Sequence, residues 1–557
     1  MEQSKKTNIP WPAVFILGMI IGALFFIIIY GVGVLNPASD GWILNKGGDF
    51  TLHYICWEFF RKSSWHFPFG LFDGIIDGET VTCMFTDSIP LFAIIFKLLS
   101  PLLPDTFQYM GFWGIFSFAM QGGISALIIY KFTNRPIYSL IGCSLFVICP
   151  SVLQRMYGHE SLAGQWILLL AILSWVCQDI KWRHKATPVI IWSINGIIAV
   201  LVHIYFIPMI YLIMLGYAAT DVFGRKKILR PILCFVSTTV CSLLTMYLIG
   251  AFEGSVSYMS DGLGYYSANY NTLLNSQGYS KYLPPLNCFP GQYEGFAYLG
   301  LGIIIGAIIT VVLLVFQSEN KNPFKLFLKL EKTEKVKIIS AFAIFVISLI
   351  IAASPKGTIN GRIIYDINLP LPIFKLMSIF RATGRFAWVS EYLVFVSVLC
   401  IIPKLSGKRT AVFCLILITL IQLLDLRVMI KNESLRENVK TEYDTPLKDP
   451  KWQEIAKQSD EILFAPLRED FYIHHELFYV FGEYAEENSL ELSCFTLSRG
   501  NDYEDLRDNA DVKLKQVLNG TSEKKYIVVF INEEDVPAEN DNITLYNLNG
   551  YNIAVNN

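Results

Sequence analysis

Charge is scarce in this sequence: 17% of its 557 residues are Asp, Glu, Lys or Arg, while 53% are hydrophobic. Soluble domains carry about 25% charged residues. The composition therefore excludes a wholly water-soluble globular protein and fits a polytopic membrane protein with soluble parts. The eleven cysteines include no Cys-x-x-Cys pair, which argues against a zinc site of that spacing and against a disulfide framework. Most of them (Cys143, Cys149, Cys177, Cys234, Cys241, Cys400 and Cys414) lie in apolar runs, where cysteine acts as a small hydrophobe. Internal repeats and low-complexity tracts are missing as well. So is a cleavable signal: Lys5 and Lys6 precede the apolar run Trp11–Tyr30, and Asn-Pro-Ala-Ser at 36–39 is a poor cleavage site. That run is long enough to span, so a retained first transmembrane helix is expected.

Apolar stretches long enough to span occur near 11–33, 107–130, 137–153, 162–178, 188–204, 205–220, 231–252, 297–316, 338–354, 387–402 and 410–430. The boundary around His203-Ile204-Tyr205 is tight enough for the fifth and sixth stretches to form one bent hairpin. Placing the N-terminus in the cytoplasm puts the basic loops inside. These are Lys131 and Arg135; Lys181, Arg183 and Lys185; Arg225, Lys226, Lys227 and Arg230; the lysines between 321 and 337; and Lys404, Lys408 and Arg409. Residues 253–296, on the other side, contain only Lys281. This register requires 88–103, interrupted by Lys97 and bounded by prolines, to lie in the outer interface instead of spanning. The expectation is a polytopic α-helical membrane protein of about 11 transmembrane helices, N-in and C-out. Residues 1–430 form its membrane domain, with a first outer loop at 34–106.

From 431 to 557 the composition turns polar. Strand-like runs at Glu461–Ala465, Tyr526–Ile531 and Ile543–Tyr546 alternate with helix-like segments at Asp470–Glu487 and Tyr503–Leu518. Period and composition predict a small extracytoplasmic α/β domain.

Ionisable residues beside membrane helices are costly and tend to mark function, and here they gather in the outer loops. Asp49 falls in the first turn of an expected amphipathic helix whose membrane face would be Leu52, Ile55, Cys56, Phe59 and Phe60. The plain structural role is an acid complementing the helix dipole, worth ~1 kcal/mol; a general base fixed at the interface would use the same position. His159 and Glu160 directly precede a span. Glu160 could cap it while His159 sits in headgroup water, or the pair could orient a substrate or hold a divalent cation with Asp49; their spacing is no metal signature. Arg381 and Arg385, four apart, would share a helix face and break the poverty of outer loops in basic residues. They fit headgroup anchoring or the recognition of a phosphate. Tyr293 and Glu294, in a Gly-rich loop, would suit a sugar, and Asp87 is a further acid before the second interfacial helix. The His474-His475-Glu476 triplet reads as a solvated helix start.

These features together resemble the GT-C superfamily of integral membrane glycosyltransferases. Its members begin with a span, then an outer loop with an early catalytic Asp and two interfacial helices, then a second span ending in basic residues. The counterparts here are Trp11–Tyr30, Asp49, the segments 49–62 and 88–100, and 107–130 ending at Lys131. The stretch Ile89–Leu99 is similar to the second interfacial helix of lipid-A and protein glycosyltransferases. More narrowly, the chain resembles a bacterial branch catalogued as a domain of unknown function. The shared blocks are Gly48-Asp49, Phe85–Pro90, Tyr157-Gly158-His159-Glu160, Gly291–Gly295 and Arg381–Phe386.

The resemblance implies a polyprenyl-phosphate-linked sugar as donor, a glycan or cell-wall polymer as acceptor, and an inverting transfer at the outer face of the bacterial cytoplasmic membrane. Asp49 would be the base, Arg385 with Arg381 would meet the phosphate, and His159, Glu160, Tyr293, Glu294 and Asp87 would bind substrate. No nucleic-acid partner is expected. The tandem acidic pair of some superfamily members is missing, which leaves a divalent cation open. Two other classes compete: a transporter or flippase for lipid-linked saccharides, which would want polar helix breaks in paired repeats near the midplane, and a non-catalytic membrane scaffold. An acyltransferase using His159 finds no acyl-donor site in the sequence.

Overall fold

The computed structural model describes residues 10–181, 183–253, 262–436, 439–468, 475–497 and 503–557. Lys5, Lys6 and His474 lie outside the described residues. The chain divides into two compact units, one of Met1–Leu35, Met110–Leu243 and Met259–Glu437, the other of Asn36–Tyr109, Leu244–Tyr258 and Asn438–Asn557.

The first unit is helical, and each of the eleven apolar stretches forms a helix in it. In chain order these are α1 (Trp11–Tyr30), α2 (Met110–Thr133), α3 (Pro136–Val147), α4 (Trp166–Val176), α5 (Thr187–Val202), α6 (Phe206–Ala219), α7 (Leu229–Leu248), α8 (Leu301–Phe316), α9 (Lys332–Ala353), α10 (Ala387–Leu405) and α11 (Lys408–Asp425). Six of them, α1, α2, α6 with its extension to Gly224, α7, α9 and α10 with the turn before it, are long and apolar enough to cross a membrane. A seventh span results if α11 and the Arg427–Glu433 helix, bent by 55°, count as one, while α3, α4, α5 and α8 are shorter apolar helices. The tight boundary is realised as His203, extended between α5 and α6. Apolar side chains such as Ile28, Val240 and Phe342 point outward, as a lipid-facing surface requires.

Close packing rests on small residues. A Cβ on Gly22 of α1 would stand 2.0 Å from the Phe118 carbonyl oxygen of α2, and one on Gly18 2.6 Å from that of Gly122. Only glycine permits two helices to approach this closely, the means by which membrane helices associate without a hydrophobic driving force.

In the second unit the C-terminal segment forms a five-stranded sheet of order β2-β1-β3-β5-β4, with β1 Glu461–Phe464, β2 Glu491–Leu492, β3 Tyr526–Phe530, β4 Ile543–Leu548 and β5 Tyr551–Asn556. The central β1 and β3 are parallel and buried throughout, as an apolar run between covered faces must be. The expected runs became β1, β3 and β4. The fifth strand returns from Asn549-Gly550, both at positive φ (52° and 90°), the pair a two-residue hairpin turn favours. Helices His475–Asn488 and Tyr503–Leu518 flank the sheet.

Residues 36–109 pack onto this domain. The Leu492 N–H donates to the Gly74 carbonyl at 2.9 Å, and Lys513 reaches both Asp77 (2.7 Å) and Glu461 (2.6 Å). The Gly48–Lys62 helix forms as expected, but its proposed membrane face is a correction: every residue from Phe50 to Phe60 is buried in protein. One reason is the His475–Asn488 helix, where Gly482 permits contact with Ile55. The Pro90–Leu99 helix does expose an apolar face of Ile95, Leu98 and Leu99. Its Lys97 turns inward, the ammonium 4.2 Å from the Phe60 ring and 4.7 Å from that of Trp65, an attraction of cation for π face.

Candidate functional site

The polar centre of the helical unit is Glu294, in the one-turn helix Pro290–Gly295 before α8. Arg155 donates to its Oε2 from Nη2 at 2.9 Å, and Arg385 donates to the same oxygen from Nε at 2.8 Å. All three side chains are buried. Burial by itself would raise the Glu294 carboxyl, but the two guanidiniums outweigh it and hold its pKa down to about 2. The carboxylate is thus ionised at physiological pH, and the triad carries one positive charge in excess.

Arg385 is fixed by close backbone approach. It lies in the turn Thr383–Phe386 leading into α10, where a Cβ on Gly384 would be 2.6 Å from the Gly295 Cα. The absence of a side chain is what brings the Arg385 turn onto the Glu294 turn. The Arg385 guanidinium carbon lies 4.4 Å from the centre of the Tyr205 ring, and the Tyr205 hydroxyl accepts from the Ala382 N–H at 2.9 Å. Tyr205 in turn contacts His203 (5.3 Å between centroids), which meets His159 at 5.5 Å.

The structure gathers most of the expected residues of this unit. His159 and Glu160 are both buried, so His159 is not in headgroup water. Glu160 opens a short turn before α4, and its carbonyl accepts from Trp113 Nε1 at 2.8 Å. Arg381 and Arg385 do not share a helix face, because α10 begins only at Ala387. Arg381 lies instead over Tyr266 at 5.4 Å, and Tyr266 meets the half-exposed Tyr293 at 6.3 Å. Arg155 and Tyr205 are not among the residues the sequence marks for the site. The sequence signal for Arg155 is a basic residue shortly before the His159-Glu160 pair in an outer loop.

In the other unit, Asp49 stands exposed in the first turn of the Gly48–Lys62 helix, and the N–H of its neighbour Gly48 donates to the Tyr479 hydroxyl at 2.9 Å. Asp87 is buried with its Oδ2 3.8 Å from His53 Nε2. Asp87 and Ile89 both hold positive φ (53° and 51°). For a β-branched residue such as Ile89 that conformation is strained, a feature concentrated at functional sites. Further along the Gly48–Lys62 helix, buried Glu58 lies within electrostatic reach of Glu486, which also acts on the buried Glu483 of the His475–Asn488 helix. Burial, then mutual repulsion with Glu486 foremost, pushes the Glu58 and Glu483 carboxyls well above the usual range.

Helices of membrane-spanning character joined to a small α/β sheet domain define the general class of this protein. Its sequence places it further: residues 19–427 match the family described as Domain of unknown function (DUF6311), and residues 451–556 match the DUF6311 C-terminal domain. The chain belongs to that family. No curated protein matches it. Among solved structures it is similar to the Archaeoglobus fulgidus oligosaccharyltransferase in the apo form, at 11% identity and a TM-score of 0.46, over 95% of this chain and 70% of that one. It is also similar to the archaeal oligosaccharyltransferase AglB from Archaeoglobus fulgidus in complex with an inhibitory peptide and a dolichol-phosphate, at 11% identity and a TM-score of 0.44 over the same shares.

Proposed function

We propose that this protein is an inverting membrane glycosyltransferase that moves a sugar from a polyprenyl-phosphate donor to a cell-envelope glycan or polymer at the outer face of the bacterial cytoplasmic membrane. The observation that carries this reading is the Arg155–Glu294–Arg385 triad, a buried ionised group of net positive charge with Arg381 close by in sequence. A fixed cationic group of this kind stabilises the charge that develops on a departing phosphate.

The reaction is a single displacement. The acceptor hydroxyl oxygen attacks the anomeric carbon, the bond from that carbon to the phosphate oxygen breaks, and the polyprenyl phosphate leaves with the bonding pair. Asp49 takes the acceptor proton. Arg385 and Arg381 meet the leaving phosphate, while Glu294 holds Arg385 in place. His159, Glu160, Tyr293 and Asp87 position sugar and acceptor, where a misplacement of about 1 Å costs on the order of 100-fold in rate.

The test is donor consumption by the full-length protein in detergent, with polyprenyl-phosphate hexoses offered to wild type, Asp49→Asn and Arg385→Ala. Turnover by wild type, lost in both well-folded variants, supports the assignment. Turnover unchanged in Asp49→Asn removes it as base, and no turnover of any donor by folded wild type shifts the reading to transport or scaffolding. Chelation followed by Mn²⁺ addition, in the same assay, decides whether a divalent cation takes part.

A further inference from the structure

At the other end of the same helices lies a second polar feature that the triad does not involve. Helix α4 runs from Trp166, shortly after Glu160, to Val176, and α6 with its extension runs from Phe206, directly after Tyr205, to Gly224. The residues that follow these ends, with the start of α9, surround a cavity of ≈980 Å³. Its wall carries Lys181, Lys185, Arg225, Lys227, Arg230 and Lys337 against three acids, Asp179, Glu331 and Glu334.

The two arginines build the wall. Arg225 donates to the Gln178 carbonyl at 2.7 Å, and Arg230 donates from Nε to the fully buried Asp221 at 2.6 Å. Asp179 is taken by Lys131 at 3.1 Å. Among the described residues, the ammonium groups of Lys181, Lys185, Lys227 and Lys337 form no ion pair. The cavity also receives the N-terminal turns of α5, α7 and α9, through Pro188, Arg230 and Thr333. The partial positive charge of these helix ends adds to that of the lysines. Ile180, Ile228 and Leu233 supply an apolar wall beside the charges.

We propose that this cavity binds a phosphate-bearing anion, with the phosphate among the lysines and its apolar or organic remainder against the isoleucine wall. An anionic phospholipid headgroup and a soluble organic phosphate share that chemistry. The combination of excess positive charge, three helix N-terminal turns in the lining and a single half-open cavity distinguishes this site from a scatter of headgroup anchors. Each lysine near a phosphate surface is worth ~1 kcal/mol, or about 5-fold in affinity.

The experiment is native mass spectrometry of the full-length protein in detergent, titrated with phosphatidylglycerol, with phosphatidylcholine of the same chains, and with inorganic pyrophosphate. The expected result is preferential retention of phosphatidylglycerol, weakened on the order of 100-fold in Lys181→Gln/Lys185→Gln/Lys227→Gln. The control Lys404→Gln/Lys408→Gln/Arg409→Gln binds as wild type. Glu331→Gln/Glu334→Gln should bind more tightly, a gain that misfolding cannot mimic. Displacement of the lipid by pyrophosphate, with the same dependence on the lysines, identifies a soluble phosphate as the ligand. Equal retention of both lipids without pyrophosphate binding, or unaltered binding in the triple lysine variant, overturns the proposal.

Discussion

Arg385 donates from Nε to Glu294 at 2.8 Å while its guanidinium rests over the Tyr205 ring. The residue is therefore held by a hydrogen bond from Nε and by a cation–π contact, and a guanidinium, with its several N–H donors and delocalised charge, suits both. Arg385→Lys keeps the charge but loses the Nε hydrogen bond and the guanidinium contact with the ring. Donor turnover should fall nearly as far in Arg385→Lys as in Arg385→Ala, which steady-state kinetics of the two variants would check.

Removing Glu294 should be the more damaging change to the fold. Glu294→Gln leaves Arg155 and Arg385 buried beside each other without their counter-charge, at a cost of about 3–5 kcal/mol. The carboxyl is depressed from its ordinary value to about 2. Its stabilising contribution is complete above the unfolded carboxyl range near 4.5 and fades as pH falls towards about 2. Thermal unfolding of wild type should steepen across that window, and Glu294→Gln should lack that component.

The buried acids Glu58 and Glu483 predict the opposite slope. Both carboxyls are raised by burial and then by their acidic neighbours, so the folded state binds protons more tightly than the unfolded chain. Stability from these groups is greatest below the ordinary glutamate range and declines as pH rises above it. Glu58 Oε1 and Glu483 Oε2 have no hydrogen-bond partner among the described residues, and Lys62 pairs with Glu486 alone of the three. Glu483→Gln should raise the melting temperature at neutral pH and flatten its decline as pH rises above the ordinary glutamate range.

Asp49 is exposed, so Asp49→Asn should change stability by no more than about 1 kcal/mol, the value of a first-turn charge. On the proposed mechanism it lowers turnover by about 10²–10⁴-fold. Tyr479→Phe deletes the acceptor of the Gly48 N–H and should cost about 1 kcal/mol. If that contact sets the orientation of Asp49, turnover falls as well; the check is to measure both quantities on both variants.

Gly384→Ala tests the backbone approach. Its methyl would meet the Gly295 Cα at 2.6 Å, and that atom belongs to backbone that cannot rotate away. A loss of about 1–3 kcal/mol is expected from the overpacking, together with loss of turnover. Unfolding and turnover of the same preparation would show both.

The sequence by itself determined the elements. Apolar runs of spanning or near-spanning length became helices because the backbone of such a run must satisfy its hydrogen bonds internally. Asp49 fell in a first helical turn as its neighbours dictated, and the parallel strands showed as short apolar runs. Such signals are local, carried within one or two turns. The hairpin strand β5 has its own local signal in Asn549-Gly550.

Tertiary structure alone decided the candidate site. Arg155 and Arg385 reach Glu294 from 139 and 91 residues away, and no periodicity encodes which arginine meets which acid. The Gly48–Lys62 helix has the apolar face of an interfacial helix, yet it is buried, because burial depends on what the rest of the chain lays against it. Arg381 and Arg385 have helical spacing, but close packing of Gly384 on Gly295 delays the helix to Ala387. Spacing fixes where side chains point only once the helix exists, and packing decides where it starts.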